Sequence, residues 1–161
     1  MKTQNNKNEE QFMRLAIELS IKSVNEGGGP FGAVIVKDGE IIAASANRVT
    51  INNDPTAHAE VMAIREACQK LGTFDLSGCE LYASCEPCPM CLSAMYWAHI
   101  EKYYYANDQH DAAKIGFDDH FIYEELDKPV ENRTLKRVQI LHEEAMEAFK
   151  LWENKSDKTE Y

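Results

Sequence analysis

Phe31-Gly-Ala-Val-Ile-Val-Lys37 and Glu40-Ile-Ile-Ala-Ala44 are short runs rich in Val and Ile, separated by Asp38-Gly39. Asp-Gly is a pair that a two-residue hairpin turn prefers, so these residues predict an antiparallel hairpin. Upstream, Phe12, Leu15, Ala16 and Leu19, with Ile17, Ile21 and Val24 beside them, follow a helical period. Asn8 with Gln11 three residues later resembles a capping box, which predicts a helix from about Glu9 to Asn25. Gly27-Gly-Gly-Pro30 ends it, because proline has no amide to continue the ladder.

Downstream, Asn52-Asn-Asp-Pro55 reads as a turn, and Val61, Ile64, Ala67, Cys68 and Leu71 mark a second helix closed by Gly72. His58 and Glu60 fall in its first turn. Glu80–Ser84 reads as a strand, and Pro87 stands where a third helix would start, running to about Ala98 with Trp97 in the core. Lys102–Ala106 and Arg137–Leu141 are expected as further strands. Short helical pieces are expected near Asp111–Ile115 and Phe121–Leu126, and Met146, Phe149 and Trp152 mark a C-terminal helix. Strands and helices interleaved in this way predict a three-layer α/β/α domain around a central mixed five-stranded sheet.

The chain has 161 residues, 44% of them hydrophobic, enough for one domain that buries roughly two-thirds of its unfolded surface. Such a domain needs no metal to fold, so a metal site would be there for chemistry. The 27 acidic residues outnumber the 17 basic ones, the wrong balance for holding phosphate backbones, and no nucleic-acid partner is expected. Residues 1–20 lack the basic start and apolar run of an export signal, and no apolar stretch is long enough to span a bilayer. A cytoplasmic protein without a membrane partner is expected. Five cysteines, Cys68, Cys79, Cys85, Cys88 and Cys91, are an odd number in such a chain, which argues against a disulfide framework.

Cys88-Pro-Met-Cys91 sets two soft ligands three residues apart at a helix start, where free amides and the helix dipole favour thiolate. Redox use of the pair would call for a thioredoxin-like pattern that the chain lacks. Cys85 repeats the spacing and would close a structural site, but Pro87 separates it from the other two. Cys68 and Cys79 read as small apolar residues. Thr56-Ala-His58-Ala59-Glu60 supplies an imidazole and, two residues on, a carboxylate. Residues two apart do not share a helix face, which suits one ligand with one proton carrier beside an open coordination position.

His58-x-Glu60 followed by Pro87-Cys88-x-x-Cys91 resembles the H-x-E and P-C-x-x-C signature of zinc deaminases acting on nucleobases. From Gly-Pro-Phe31 through Ser84–Cys91 to Gly116-Phe-Asp-Asp119 and the tail, the chain is similar to the cytidine deaminase-like family, and within it to the bacterial guanine deaminase branch. The resemblance implies one zinc ion per subunit, held by His58, Cys88 and Cys91, with Glu60 as proton carrier. It implies hydrolytic deamination of guanine, a small-molecule purine, to xanthine and ammonia. It adds Asp119 as a second catalytic acid beside Glu60, although Asp118 offers the same group. It places Phe31, Asn47, Ala59, Asp119 and Tyr161 against the substrate. It also implies a homodimer in which the C-terminal helix and tail, about residues 143–161, are exchanged and Tyr161 closes the partner's pocket. Rival readings are deamination of cytosine, cytidine or transfer-RNA adenosine, and a non-catalytic structural zinc module in which Glu60 has no task.

Overall fold

A computed structural model describes residues 2–161, with side chains from residue 7 onward. Helix α1 spans Lys2–Asn25 and is followed by strands β1, Gly32–Lys37, and β2, Glu40–Ala46. Asp38 and Gly39 both adopt positive φ, 51° and 81°, the backbone of the hairpin turn that their identities predict. The pairing runs from Gly32 opposite Ala46 to Lys37 opposite Glu40, and a register shift at Ile35/Val36 leaves Ile42 as the extra residue. Asn8 lies inside α1 rather than at its start, so the expected capping box is not the helix boundary.

A short helix α2, Val49–Asn52, leads into α3, Ala59–Leu71; then come β3, Cys79–Cys85, and α4, Pro89–Trp97. Strand β4, Lys102–Asn107, precedes α5, Gln109–Lys114, and α6, His120–Asp127. A 3-10 turn at Val130–Asn132 and helix α7, His142–Glu153, complete the chain. The sheet order is β2-β1-β3-β4, with β1 antiparallel to β2 and β3, and β3 parallel to β4.

The sheet therefore has four strands, not the five expected. Arg137–Leu141 is exposed throughout and belongs to no strand. Its alternating apolar pattern records the burial a strand needs, but a strand also needs a neighbouring edge to take its amides and carbonyls.

Period-two alternation along β1 divides the core. Ala33 and Ile35 face a cluster with Ala59, Ala63 and Ala67 of α3 and Met95 of α4. Val34 and Val36 face the other way, with Tyr82 and with Ala16 of α1. The result is helix on both faces of a mixed sheet. Tyr82 lies between Phe12, edge-on at 5.3 Å, and Tyr104, stacked at 4.4 Å.

The helix that carries the cysteines begins at Pro89, with Cys88 as its N-cap, not at Pro87 as expected. A residue before proline is pushed out of the helical region, and Cys88 precedes Pro89. Trp97, expected in the core, is 67% exposed. The buried face of α4 carries Cys91 and Met95, four residues apart, and Trp97 lies two residues further round the helix.

The chain divides into two compact units, one ending at Phe121 and one spanning Ile122–Tyr161. No residue of the second is buried, although it carries exposed Leu135, Val138, Ile140, Phe149 and Leu151. Within it, Glu125 of α6 takes Lys128 at 2.6 Å and both the amide and the hydroxyl of Thr134 at 2.6 and 3.0 Å.

Candidate active site

Two helix starts meet at one end of the sheet. His58 is the N-cap of α3 and Cys88 the N-cap of α4, both with extended backbone, and Cys91 lies in the first turn of α4. His58 Nδ1 is 3.5 Å from Cys88 Sγ and 3.4 Å from Cys91 Sγ, and the two sulfurs are 3.6 Å apart. A tetrahedral zinc with bonds of about 2.3 Å to sulfur and 2.0 Å to nitrogen spaces such ligands roughly 3.5–3.8 Å apart. The triad fits that ion and could hold one.

Hydrogen bonding within the triad favours a thiolate at one of the two sulfurs, Cys88. The Cys91 thiol, then the His58 ring, hold Cys88 down to about 4 against its burial. Cys91 is pushed up by the shared hydrogen bond with Cys88 and by its own burial, and His58 is raised by Cys88. Cys85 is apart from the cluster: its thiol donates to the Asp108 carbonyl at 3.7 Å, and burial pushes it up to about 11. Cys68 and Cys79 are free thiols, the first partly and the second fully buried.

Glu60, in the first turn of α3, is 7% exposed. Burial raises its carboxyl above the ordinary range, and it interacts with the charges of Cys88 and His58 and with the Cys91 thiol. A carboxylate desolvated beside three potential ligands, on a helix whose other buried residues are all alanines, is costly unless it serves the chemistry of the site.

The two aspartates at 118 and 119 are told apart by hydrogen bonding. Asp118 accepts the His120 amide at 3.0 Å, which commits it to the start of α6. Asp119 is half-buried, raised by burial and then by the nearby charges of Cys88, Asp118 and Glu86. Both line a cavity of about 240 Å³ with Gln109, His110, Ala113 and His120.

Phe31 packs on the cluster that contains Ala59, and a side chain on Gly29 would touch both Phe31 and Asn47. Asn47 is 4% exposed, and the next residue's amide bonds Ala57, just before His58, at 2.9 Å. The fold thus brings Glu60 and Asp119 within reach of the charge on Cys88, and Phe31 and Asn47 near one another across Gly29. Tyr161 is exposed at the end of the second unit.

Two residues were not singled out in the sequence. Phe117 meets Phe31 edge-on at 4.9 Å, two residues before Asp119. Glu86 accepts the Gln109 amide at 3.1 Å while its own amide bonds Asn107, tying the cysteine loop to the start of α5. Aromatic and acidic residues adjoining a motif carry no mark of their partners, so neither contact was legible.

A mixed sheet between helices with a His, Cys, Cys triad and a buried Glu at two helix starts defines a zinc deaminase class. The chain belongs to the family described as the cytidine and deoxycytidylate deaminase zinc-binding region, matched over residues 6–107. It is 56% identical over 155 residues to the guanine deaminase of Bacillus subtilis (strain 168), covering 96% of this chain and 99% of that one. The crystal structure of guanine deaminase from that species superposes with a TM-score of 0.91 over 94% of this chain and 98% of its own. A tRNA-specific adenosine deaminase of Aquifex aeolicus (strain VF5) is 40% identical over 86% of this chain and 89% of its own. A related structure in complex with 2,6-diaminopurine, 38% identical, has a TM-score of 0.67 over 69% of this chain and 62% of its own.

Proposed function

We propose that the protein deaminates guanine hydrolytically, consuming one water and releasing xanthine and ammonia. The observation that carries this reading is the convergence of His58, Cys88 and Cys91 within 3.6 Å of one another beside buried Glu60, in a chain 56% identical to a guanine deaminase. His58, Cys88 and Cys91 would hold one zinc ion per subunit, which when bound lowers the pKa of a water in its fourth position toward neutrality.

Glu60 takes one proton from the attacking water and passes it to a ring nitrogen; it then takes the second, from the hydroxyl added to the attacked carbon, and delivers it to the amine, which departs as ammonia while the new carbonyl forms. Asp119 holds that amine. Phe31 stacks on the base, Asn47 bonds its edge and Ala59 lies against it. Cys85 donates to the Asp108 carbonyl and stands apart from the triad, which counts against a closed structural zinc module in which it would be the fourth ligand.

We further propose a cytoplasmic homodimer in which about residues 143–161 are exchanged, so that Tyr161 closes the partner's pocket. Support comes from the second unit, which exposes Leu135, Val138 and Phe149 by more than two-thirds and has no buried residue of its own. Among the described residues no helix is long and apolar enough to cross a membrane, and a net charge of -10 counts against RNA as substrate. The test is ammonia release by zinc-loaded protein from guanine, adenine, cytosine, cytidine and a transfer-RNA anticodon stem-loop. Guanine is expected to be preferred; turnover of another base alone would overturn the substrate assignment, and zinc binding with no turnover would favour the structural module.

A further inference from the structure

Ser23 lies on the face of α1 that packs on the sheet and is 1% exposed. Its hydroxyl donates to the main-chain carbonyl of Asn47 at 3.1 Å, and its own carbonyl accepts the Gly28 amide at 2.8 Å. A Cβ on Gly28 would come within 2.5 Å of Ser23 Oγ and 2.8 Å of Asn47 O, so only glycine allows this three-way approach. The end of α1, the glycine loop and the end of β2 are joined at one point.

Beside that junction the side-chain amide of Asn47 is held in one orientation. Two main-chain amides, those of Gly29 at 3.3 Å and Val49 at 3.2 Å, donate to the same terminal atom of Asn47. Since both are donors, that atom is the carbonyl oxygen Oδ1, and its two lone pairs are then engaged. Nδ2 makes no hydrogen bond among the described residues, yet it is not a sealed, unsatisfied group: the only such buried side-chain atom among them is Arg133 Nε. The NH2 therefore remains open as a donor.

We propose that Ser23 is a positioning residue for substrate recognition. It seats Asn47 so that only a hydrogen-bond donor faces the base, and this corner of the site selects an acceptor on the purine, a ring carbonyl or a bare ring nitrogen. An amine presented there would meet donor with donor and leave both unpaired. The proposal rests on the guanine deaminase reading and concerns how that site chooses its substrate.

The test is a double-mutant cycle read in kcat and KM for guanine with Ser23→Ala, Asn47→Ala and the pair. Ser23→Ala should raise KM roughly fivefold, the scale of one hydrogen bond, with a smaller change in kcat. In the Asn47→Ala background the same change should move KM by less than about twofold, because the group through which Ser23 acts is gone. Equal factors in both backgrounds would show a general structural role and overturn the proposal. Asn47→Asp keeps Oδ1 but turns the donor into an acceptor, and its KM should exceed that of Asn47→Ala; a KM at or below it would overturn the donor assignment. If Ser23→Ala does not fold, Gly28→Ala presses on the same contact and should give the same coupling. A wild type that turns over another base but not guanine sinks only the substrate reading, and the cycle is then read with that base. A wild type that releases ammonia from no base overturns both.

Discussion

The carboxylate of Glu60 and the triad beside it differ in what they lose when changed. Glu60→Gln removes the proposed proton carrier but none of the three proposed ligand atoms, so the variant should bind zinc stoichiometrically and lose about 10²–10⁴-fold in kcat; near-normal turnover would remove Glu60 from the chemistry. The adjacent aspartates separate in the same way. Asp119→Asn should lower kcat by tenfold or more, whereas Asp118→Asn, whose amide oxygen can still accept the His120 amide, should cost roughly threefold or less. The reverse order in steady-state kinetics would exchange their roles. The H-x-E and C-x-x-C spacings were legible because residue type and separation carry the ligand chemistry. What separates Asp118 from Asp119 in the fold was not, because an Asp-Asp pair does not say which of the two meets the His120 amide.

Among the elements, the hairpin and both site helices were legible from local rules: turn chemistry at Asp38-Gly39 and apolar periodicity in α3. The start of α4 was misread by two residues because two prolines compete, and it is Pro89 that excludes Cys88 from helix. The 120–134 stretch makes a pH prediction. Glu125 is held down to about 2, first by Lys128 and then by the Thr134 amide. Its folded pKa lies below the ordinary 4.5, so its contribution is complete above about pH 4.5 and is lost as pH falls through about 2. Protection of the Thr134 amide from hydrogen exchange should therefore persist from neutral pH to about pH 4 and decline below it, and Glu125→Gln should remove that pH dependence. A protected amide in Glu125→Gln with an unchanged acid profile would exclude this carboxylate as the anchor.

For the whole molecule, the second unit sets the expectation. Forty residues that expose Leu135, Val138, Ile140, Phe149 and Leu151 do not form a hydrophobic core of their own. Sedimentation should show a dimer at micromolar concentration, and removal of residues 159–161 should raise KM for guanine severalfold or abolish turnover. A monomer with unchanged kinetics after that truncation would refute the exchanged tail. By itself the amino-acid sequence determined what depends on neighbours in the chain: the helix and strand periods, the hairpin turn, and the spacing of His58 to Glu60 and of Cys88 to Cys91. Only the tertiary structure decided what depends on partners far along the chain. It left Arg137–Leu141 without a sheet edge and turned Trp97 outward. It joined Ser23 to Asn47 across 24 residues. Periodicity records that a residue is to be buried or paired; the contact that satisfies it exists only once the chain has folded.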